Sequence, residues 1–309
     1  MPPTRTVLIT GCSDGSLGAA LAQEFHSTGT WRVFASARNS AKLSAVRAAG
    51  IETILIDVAS TASIQAAVET VSKLTSGSLD ALVNNAGVST APVAALDLDI
   101  AAGKRLFDVN VWGVVETVQA FMPLLLKAAA VKEGASKESS AMIVNHCSAG
   151  AVLATPMLSS YAASKTALLC FTETMRRELA PFGVGVVALM TGVVRSQIQT
   201  NAKGSGGRFK LPEGSIYGIA REAVEKGMDI ERFYEEAPSA EDWAREVVRE
   251  LTKDPLPAQI WKGKDAGKMW AMQFPPRRWM DGMVAKLTGM DVVGEKIKEE
   301  RSKNTEGAV

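Results

Sequence analysis

Cysteine, histidine and net charge are all scarce in this chain, and each shortage argues against a class of function. There are three cysteines, Cys12, Cys147 and Cys170, none close to another. They cannot all be paired, which argues against a disulfide framework and fits a reduced, intracellular compartment. The two histidines, His26 and His146, stand far apart, and no His, Cys or acid cluster has metal-ligand spacing, so no metal is expected. His26 reads as a surface residue of the first helix; His146 ends a strand two residues before Ser148, which puts it near the expected pocket, and His146-Cys147 reads as local strand packing. A net charge of +1 lacks the basic excess of a nucleic-acid binder. Long apolar runs are also missing. The longest, Val184 through Val194, is too short to cross a bilayer, and MPPTRTVLIT enters a strand-like stretch without a charged-then-apolar leader. These features together predict a cytoplasmic protein, with attachment to a membrane or lipid-droplet surface as the alternative.

What is present is a strong alternation. Short β-branched runs at Thr6–Thr10, Arg32–Ser36, Thr53–Ile56, Ala81–Val83, Met142–Asn145 and Val184–Leu189 read as strands. Helical patterns at Leu17–Thr28, Ser63–Leu74, Lys104–Lys127 and Tyr161–Ala180 lie between them. Strands separated by helix-length segments imply right-handed βαβ units and an α/β, doubly wound parallel sheet. The strands are nearly all apolar, as burial on both faces requires. KEGASKESS at 132–140 reads as a surface loop, and residues 197–238 as a helical lid. Residues 1–262 are expected to form one catalytic domain that includes this lid. Residues 263–309 form a C-terminal extension packed on it, with a polar tail from Glu295 to Val309 that has little to bury and is expected to be partly disordered.

The first strand ends in TGCSDGSLG, with glycines at 11, 15 and 18 between strand and helix. There a backbone can approach a pyrophosphate, and helix N–H groups can bind it. Acid is absent where it would matter most. No Asp or Glu occurs between Glu24 and Glu52, so the second strand lacks the carboxylate that takes a ribose 2′-hydroxyl. Arg38 closes that strand and Lys42 follows one helical turn later. A guanidinium suits a 2′-phosphate, so the predicted cofactor is NADPH/NADP+ rather than NAD.

YAASK places Tyr161 and Lys165 on adjacent turns of one helix face. An ammonium nearby is expected to lower the phenol's pKa and tune it as a general acid for a carbonyl oxygen. NNAG (Asn84–Gly87) follows the fourth strand, Asn110 lies in DVNVWG, and Ser148 closes VNHCS thirteen positions before Tyr161. With TGCSDGSLG, these five motifs resemble the short-chain dehydrogenase/reductase family over about residues 4–261.

The resemblance implies a Rossmann-type fold and a role at each matched position. Tyr161 would be the acid–base residue, and Lys165 would lower its pKa and hold the nicotinamide ribose. Ser148 would bond the substrate oxygen, and Asn110 would support a water-linked proton relay through a local helix distortion. Gly11, Ser13, Gly15, Leu17, Gly18, Arg38, Asp57, Val58, Asn85, Ala86, Gly87, Val194 and Ser196 would contact the cofactor. Asp57 is the match for an adenine-contacting aspartate, with a turn or helix cap as the competing role.

Two departures from the family pattern bear on the site. The glycine loop carries one residue more than T-G-x-x-x-G-x-G, and Thr191-Gly192 replaces the usual Pro-Gly. IWKGKDAGKMW and FPPRRWMDGMV are similar to a fungal branch that includes NADPH-dependent 1-acyldihydroxyacetone phosphate reductases and reductases of secondary metabolism. The function implied is reduction of a lipid-like or aromatic ketone. A ketoreductase or alcohol dehydrogenase of a biosynthetic pathway is the alternative, and a catalytically silent NADP-binding regulator is the reading from another class. Arg195, Arg208 and Lys210 are candidates to meet a substrate phosphate, with solvated loop charges as the simpler reading. The apolar set Trp279, Met280, Met283, Val284 and Leu287 is expected to dock on the protein's own core, a lipid surface being the alternative. A small-molecule ketone or alcohol is the expected partner, with a homodimer through the helix at Tyr161.

Overall fold

The computed structural model describes residues 5–130, 141–196, 209–229 and 231–306. Seven strands form its sheet: β1 (Arg5–Ile9), β2 (Trp31–Ala37), β3 (Glu52–Leu55), β4 (Ala81–Asn84), β5 (Ala141–His146), β6 (Val184–Thr191) and β7 (Gln259–Lys262). All pairings are parallel, in the order β3-β2-β1-β4-β5-β6-β7. The chain builds outward from β1 on one side and from β4 on the other. Side chains at the carboxyl ends of β1 and β4 therefore face a crevice at the point where strand order reverses, the usual ligand position in such sheets.

Helices cover both faces, as the uninterrupted burial of β4 and β5 demands. On one side, α1 (Leu17–Ser27) and α9 (Ala240–Leu251) bury Leu21, Phe25, Trp243 and Val247 against β1 and β2. On the other, α3 (Thr61–Leu74) and α5 (Gly113–Ala130) bury Ile64, Val71, Phe121 and Leu125. Each such side chain contributes about 1.5–3 kcal/mol when fully removed from water. Residues 100–130 run as one helical stretch long and apolar enough by composition to cross a membrane, but Val118, Phe121 and Leu125 are buried against the sheet.

Where Lys104–Lys127 reads as a single helix from sequence, the structure has α4 (Ile100–Phe107), a π-helical turn (Asp108–Trp112) and then α5. A buried polar ladder ties the sheet to α6 (Ser159–Leu179): Asn84 Nδ2 donates to Asn145 Oδ1 at 2.9 Å, and Asn145 Nδ2 to Thr172 Oγ1 at 3.0 Å.

The chain from 209 to 238 holds the short helices α7 (Arg221–Gly227) and α8 (Glu231–Tyr234); α2 (Ser44–Ala48) and α10 (Ala266–Ala271) complete the short elements. The extension packs on this segment at the corner between α11 (Arg277–Thr288) and α12 (Met290–Glu306). A β-carbon at Gly227 would lie 2.6 Å from the Thr288 carbonyl carbon, and one at Gly289 2.6 Å from Ala223 O. Glycine alone allows so close a crossing.

Three expectations are corrected. β7 was not among the predicted strands. The tail is helical to Glu306, although it is exposed from Glu295 to Thr305. The stripe expected to dock on the core leaves Trp279 77%, Met283 44% and Leu287 42% exposed, because α11 packs mainly through its C-terminal corner. The 132–140 loop and the 197–208 part of the lid lie outside the described residues.

Candidate active site

The glycine loop lies at the β1 end of the crevice. Gly11 adopts φ +75°, and a β-carbon there would stand 2.7 Å from Ala86 Cα. At Gly18 a β-carbon would stand 2.4 Å from Asn85 Nδ2 and 2.6 Å from Gly11 O. These close approaches lock the loop against NNAG. Asn85 Nδ2 donates to the carbonyls of Thr10 (2.8 Å) and Gly11 (3.1 Å). The Thr10 hydroxyl accepts from the amides of Asn85 and Ala86 at 3.0 and 2.9 Å. Ser16, which sequence reasoning passed over, caps α1: its Oγ accepts from Ala19 N and donates to Gly11 O. A Ser ahead of a helical pattern is a recognisable cap signal.

Arg38 and Lys42 flank the mouth of the same crevice, both exposed, and no carboxylate partner is found for either among the described residues. Asp57 performs the turn role, accepting from Ala59 N at 3.1 Å, and also faces the crevice.

Tyr161 is in the first turn of α6 and Lys165 one turn later. Ser148 ends the segment after β5, where its Oγ accepts from Gly150 N at 3.1 Å and caps a 3₁₀ turn. The nearby Ser148 side chain pulls the Tyr161 phenol's pKa down, but burial outweighs this and holds it above its ordinary value. That reverses the predicted lowering. Lys165 Nζ donates instead to the His146 carbonyl at 2.7 Å, and burial pushes its pKa down to about 8. At neutral pH the pair is therefore a protonated phenol beside an ammonium.

Asn110 lies in the π turn, as the resemblance implied, and is fully buried. Its amide bonds Val88 N (2.8 Å), Val88 O (2.9 Å) and Ser164 Oγ (3.1 Å). A β-carbon at Gly87 would stand 3.3 Å from Asn110 Oδ1 and 3.5 Å from Lys165 Nζ, so glycine leaves room between them.

His146 lies at the pocket, as its place two residues before Ser148 led us to expect, and it makes contacts that strand packing did not predict. Its ring stacks on Trp243, its Nδ1 lies 2.8 Å from Asn85 Oδ1, and it lines the crevice. Since Asn85 Nδ2 is donating, Oδ1 must accept, which assigns the proton to His146 Nδ1. Burial and the Lys165 charge push its pKa down to about 3, so the ring is neutral.

These residues converge on one cavity of about 1230 Å³. Gly11, Ser13, Leu17, Arg38, Asp57, Val58, Asn85, Ala86, Gly87, Ser148, Tyr161, Lys165, Val194 and Ser196 all line it; Gly15, Gly18 and Asn110 do not. Gly15 is exposed at φ +71°, whereas Gly18 and Asn110 act from behind the wall. Leu153, Leu158, Met228, Phe233, Met269 and Leu287 form an apolar wall that includes lid and extension residues. Among the described lining residues the cations are Arg38, Lys42 and Lys165. Of the phosphate candidates, Lys210 is paired with Glu225 at 2.8 Å, Arg195 is exposed and not in the lining, and Arg208 lies outside the described residues.

A doubly wound sheet with a glycine cradle at its switch point and a Ser–Tyr–Lys cluster beside it defines a dehydrogenase-type site. The chain belongs to the short-chain dehydrogenase/reductase family of oxidoreductases, and the short chain dehydrogenase model matches residues 5–205. It is 41% identical over 295 residues to a short-chain dehydrogenase/reductase of Pestalotiopsis microspora, covering 95% of this chain and 97% of that one. It is 38% identical over 283 residues to the NADPH-dependent 1-acyldihydroxyacetone phosphate reductase of Schizosaccharomyces pombe, covering 88% and 90% of the two chains. Among solved structures, a short-chain dehydrogenase from Streptomyces avermitilis shares the fold with a TM-score of 0.71 at 24% identity, covering 96% of this chain and 98% of that one.

Proposed function

We propose that this protein reduces an apolar, lipid-like or aromatic ketone with NADPH, Tyr161 supplying the proton. The observation that carries the reading is the convergence of Tyr161, Ser148 and Lys165 with the glycine cradle in one cavity. The residues fit the dinucleotide. Gly11 and Gly18 leave backbone where a pyrophosphate needs it, and Arg38 and Lys42 stand where a 2′-phosphate would be met. When bound, the cofactor supplies the hydride.

The chain's own residues do the rest. Ser148 and Tyr161 orient the carbonyl oxygen, and the Tyr161 hydroxyl donates its proton as charge develops there. Lys165 keeps a positive charge behind the phenol and is placed to hold the nicotinamide ribose. Asn110 fixes Val88 and Ser164 around them. The wall of Leu153, Leu158, Met228, Phe233, Met269 and Leu287 excludes water and selects an apolar substrate.

The same wall bears on the substrate itself. Its described residues are apolar, and the lining cations Arg38, Lys42 and Lys165 are taken up by the cofactor reading, so an uncharged ketone is favoured over a phosphorylated one such as 1-acyldihydroxyacetone phosphate. NADPH oxidation against a panel of that compound, steroid ketones and polycyclic aromatic ketones tests this. Turnover confined to the phosphorylated ketone would reverse the preference. NADPH binding with no turnover at all would favour a silent regulator.

Arg38→Ala is expected to lower the NADPH-over-NADH ratio of kcat/KM by about ten- to a hundredfold, the weight of a charged hydrogen bond. A wild-type preference for NADH would sink the cofactor assignment. Two further contacts are proposals of the same reading, a second copy docked through α6 and a lipid surface against the exposed Trp279, Met283 and Leu287 stripe. Flotation with anionic vesicles checks the latter, with co-migration expected and its absence removing the idea.

A further inference from the structure

The glycine loop carries an acid, Asp14, just before Gly15, and the structure shows what it holds. Asp14 lines the crevice at its rim, but its carboxylate is bonded to the segment that follows the β2 turn. Its backbone N–H donates to Lys42 O at 2.7 Å. Its carboxylate accepts from Ser44 N at 3.2 Å, from Ser44 Oγ, and from Ala45 N at 2.9 Å. Those bonds reach across thirty residues of sequence to the start of α2, which has no capping bond of its own from Leu43.

The turn so held is the one that presents the two cations. Arg38 leaves β2, Asn39 Oδ1 caps the 3₁₀ turn Ser40–Lys42 by accepting from Ala41 N at 2.9 Å, and Leu43 is fully buried just behind it. Arg47 of α2 grips the other end of the turn, donating to Ser40 O at 2.8 Å. The segment is thus tied at Ser40 by Arg47 and at Lys42, Ser44 and Ala45 by Asp14. An acid beside a phosphate-binding pair would ordinarily repel the ligand. Here both carboxylate oxygens already accept hydrogen bonds, so the charge is directed into the turn.

We propose that Asp14 is a positioning residue for cofactor selection: it fixes the Arg38–Lys42 turn, and thereby lets one βα loop set the affinity of the next for a 2′-phosphate. This rests on the NADPH reading above. It assigns Asp14 no contact with the cofactor, only control over the freedom of the cations that meet it. Fixing the backbone that carries those side chains before the ligand arrives is what strengthens binding.

Calorimetric titration with 2′,5′-ADP and 5′-AMP, which differ by the 2′-phosphate, separates the alternatives. Wild type is expected to bind 2′,5′-ADP more tightly. Asp14→Ala should weaken 2′,5′-ADP by about tenfold, the scale of one charged hydrogen bond, and shift 5′-AMP by less than about twofold. Asp14→Asn, which keeps an acceptor for Ala45 N, should recover most of the loss. Equal weakening of both ligands would mark Asp14 as general scaffolding, and no change in either would mark it as irrelevant; each overturns the proposal while leaving the cofactor assignment intact. A wild type that does not distinguish the two ligands would overturn the cofactor assignment itself.

Discussion

Tyr161→Phe is expected to lower carbonyl reduction by about a thousandfold, within the range ascribed to a positioned general acid, while NADPH binding changes by less than about twofold. The substitution removes one hydroxyl and preserves the ring that lines the cavity. It leaves no new buried orphan, because Ser148 Oγ still accepts from Gly150 N. Burial holds the Tyr161 phenol above its ordinary pKa, so wild type carries the transferable proton throughout the neutral range. Single-turnover reduction by the pre-bound complex, beside NADPH fluorescence titration, checks both halves. Residual activity within tenfold of wild type would show that another group delivers the proton.

Lys165→Met has the next largest expected effect, a loss of a hundredfold or more, on the scale of removing one electrostatic stabiliser of the transition state. It also has a distinctive pH signature. The Lys165 pKa is pushed down to about 8, so reduction should decline as pH rises through that value and the ammonium is lost. Its neighbours do not titrate there: burial pushes Cys147 up to about 11 and His146 down to about 3, and Tyr161 is raised. The residual rate of Lys165→Met should lack that limb, and a limb that persists would belong to a different group.

Stability follows the same linkage. The folded pKa of Lys165 lies below its ordinary value of 10.5, so between about 8 and 10.5 the unfolded chain holds more protons and stability rises with pH. The burial cost, about 3 kcal/mol for a shift of this size, is fully present below pH 8 and gone above 10.5. Lys165→Met escapes that cost but strands the His146 carbonyl, at about 1–3 kcal/mol. Its melting temperature at neutral pH should therefore stay within a few degrees of wild type, and the rise with pH should disappear.

Much of this site is legible in the sequence because its parts are local. A glycine run between strand and helix, a Tyr and Lys one turn apart, and NNAG at a strand end each need only a few residues to be seen. What escaped depends on distant partners. Helical spacing predicts that Lys165 neighbours Tyr161, but it does not show that the ammonium reaches the His146 carbonyl or that burial outweighs charge at the phenol. The place of His146 near the pocket was legible, but its contacts with Asn85 and Trp243 were not, because both lie far away in sequence. β7 was missed because only Ile260 of its four residues is buried, an edge strand with little alternation. The period of α11 identifies an apolar stripe without saying what covers it, and Trp279, Met283 and Leu287 prove exposed. Asp14 shows the same limit: the acid is plain in the loop, while its partners Ser44 and Ala45 are about thirty residues away.

The central claim, ketone reduction by NADPH with Tyr161 donating the proton, is tested most directly by isotope transfer. Wild type supplied with NADPH deuterated at both C4 positions and an apolar ketone from the panel should yield an alcohol carrying one deuterium on its carbinol carbon. Tyr161→Phe under the same conditions should bind the cofactor and yield almost none. Alcohol without deuterium, or equal labelled product from the Phe variant, would contradict the account.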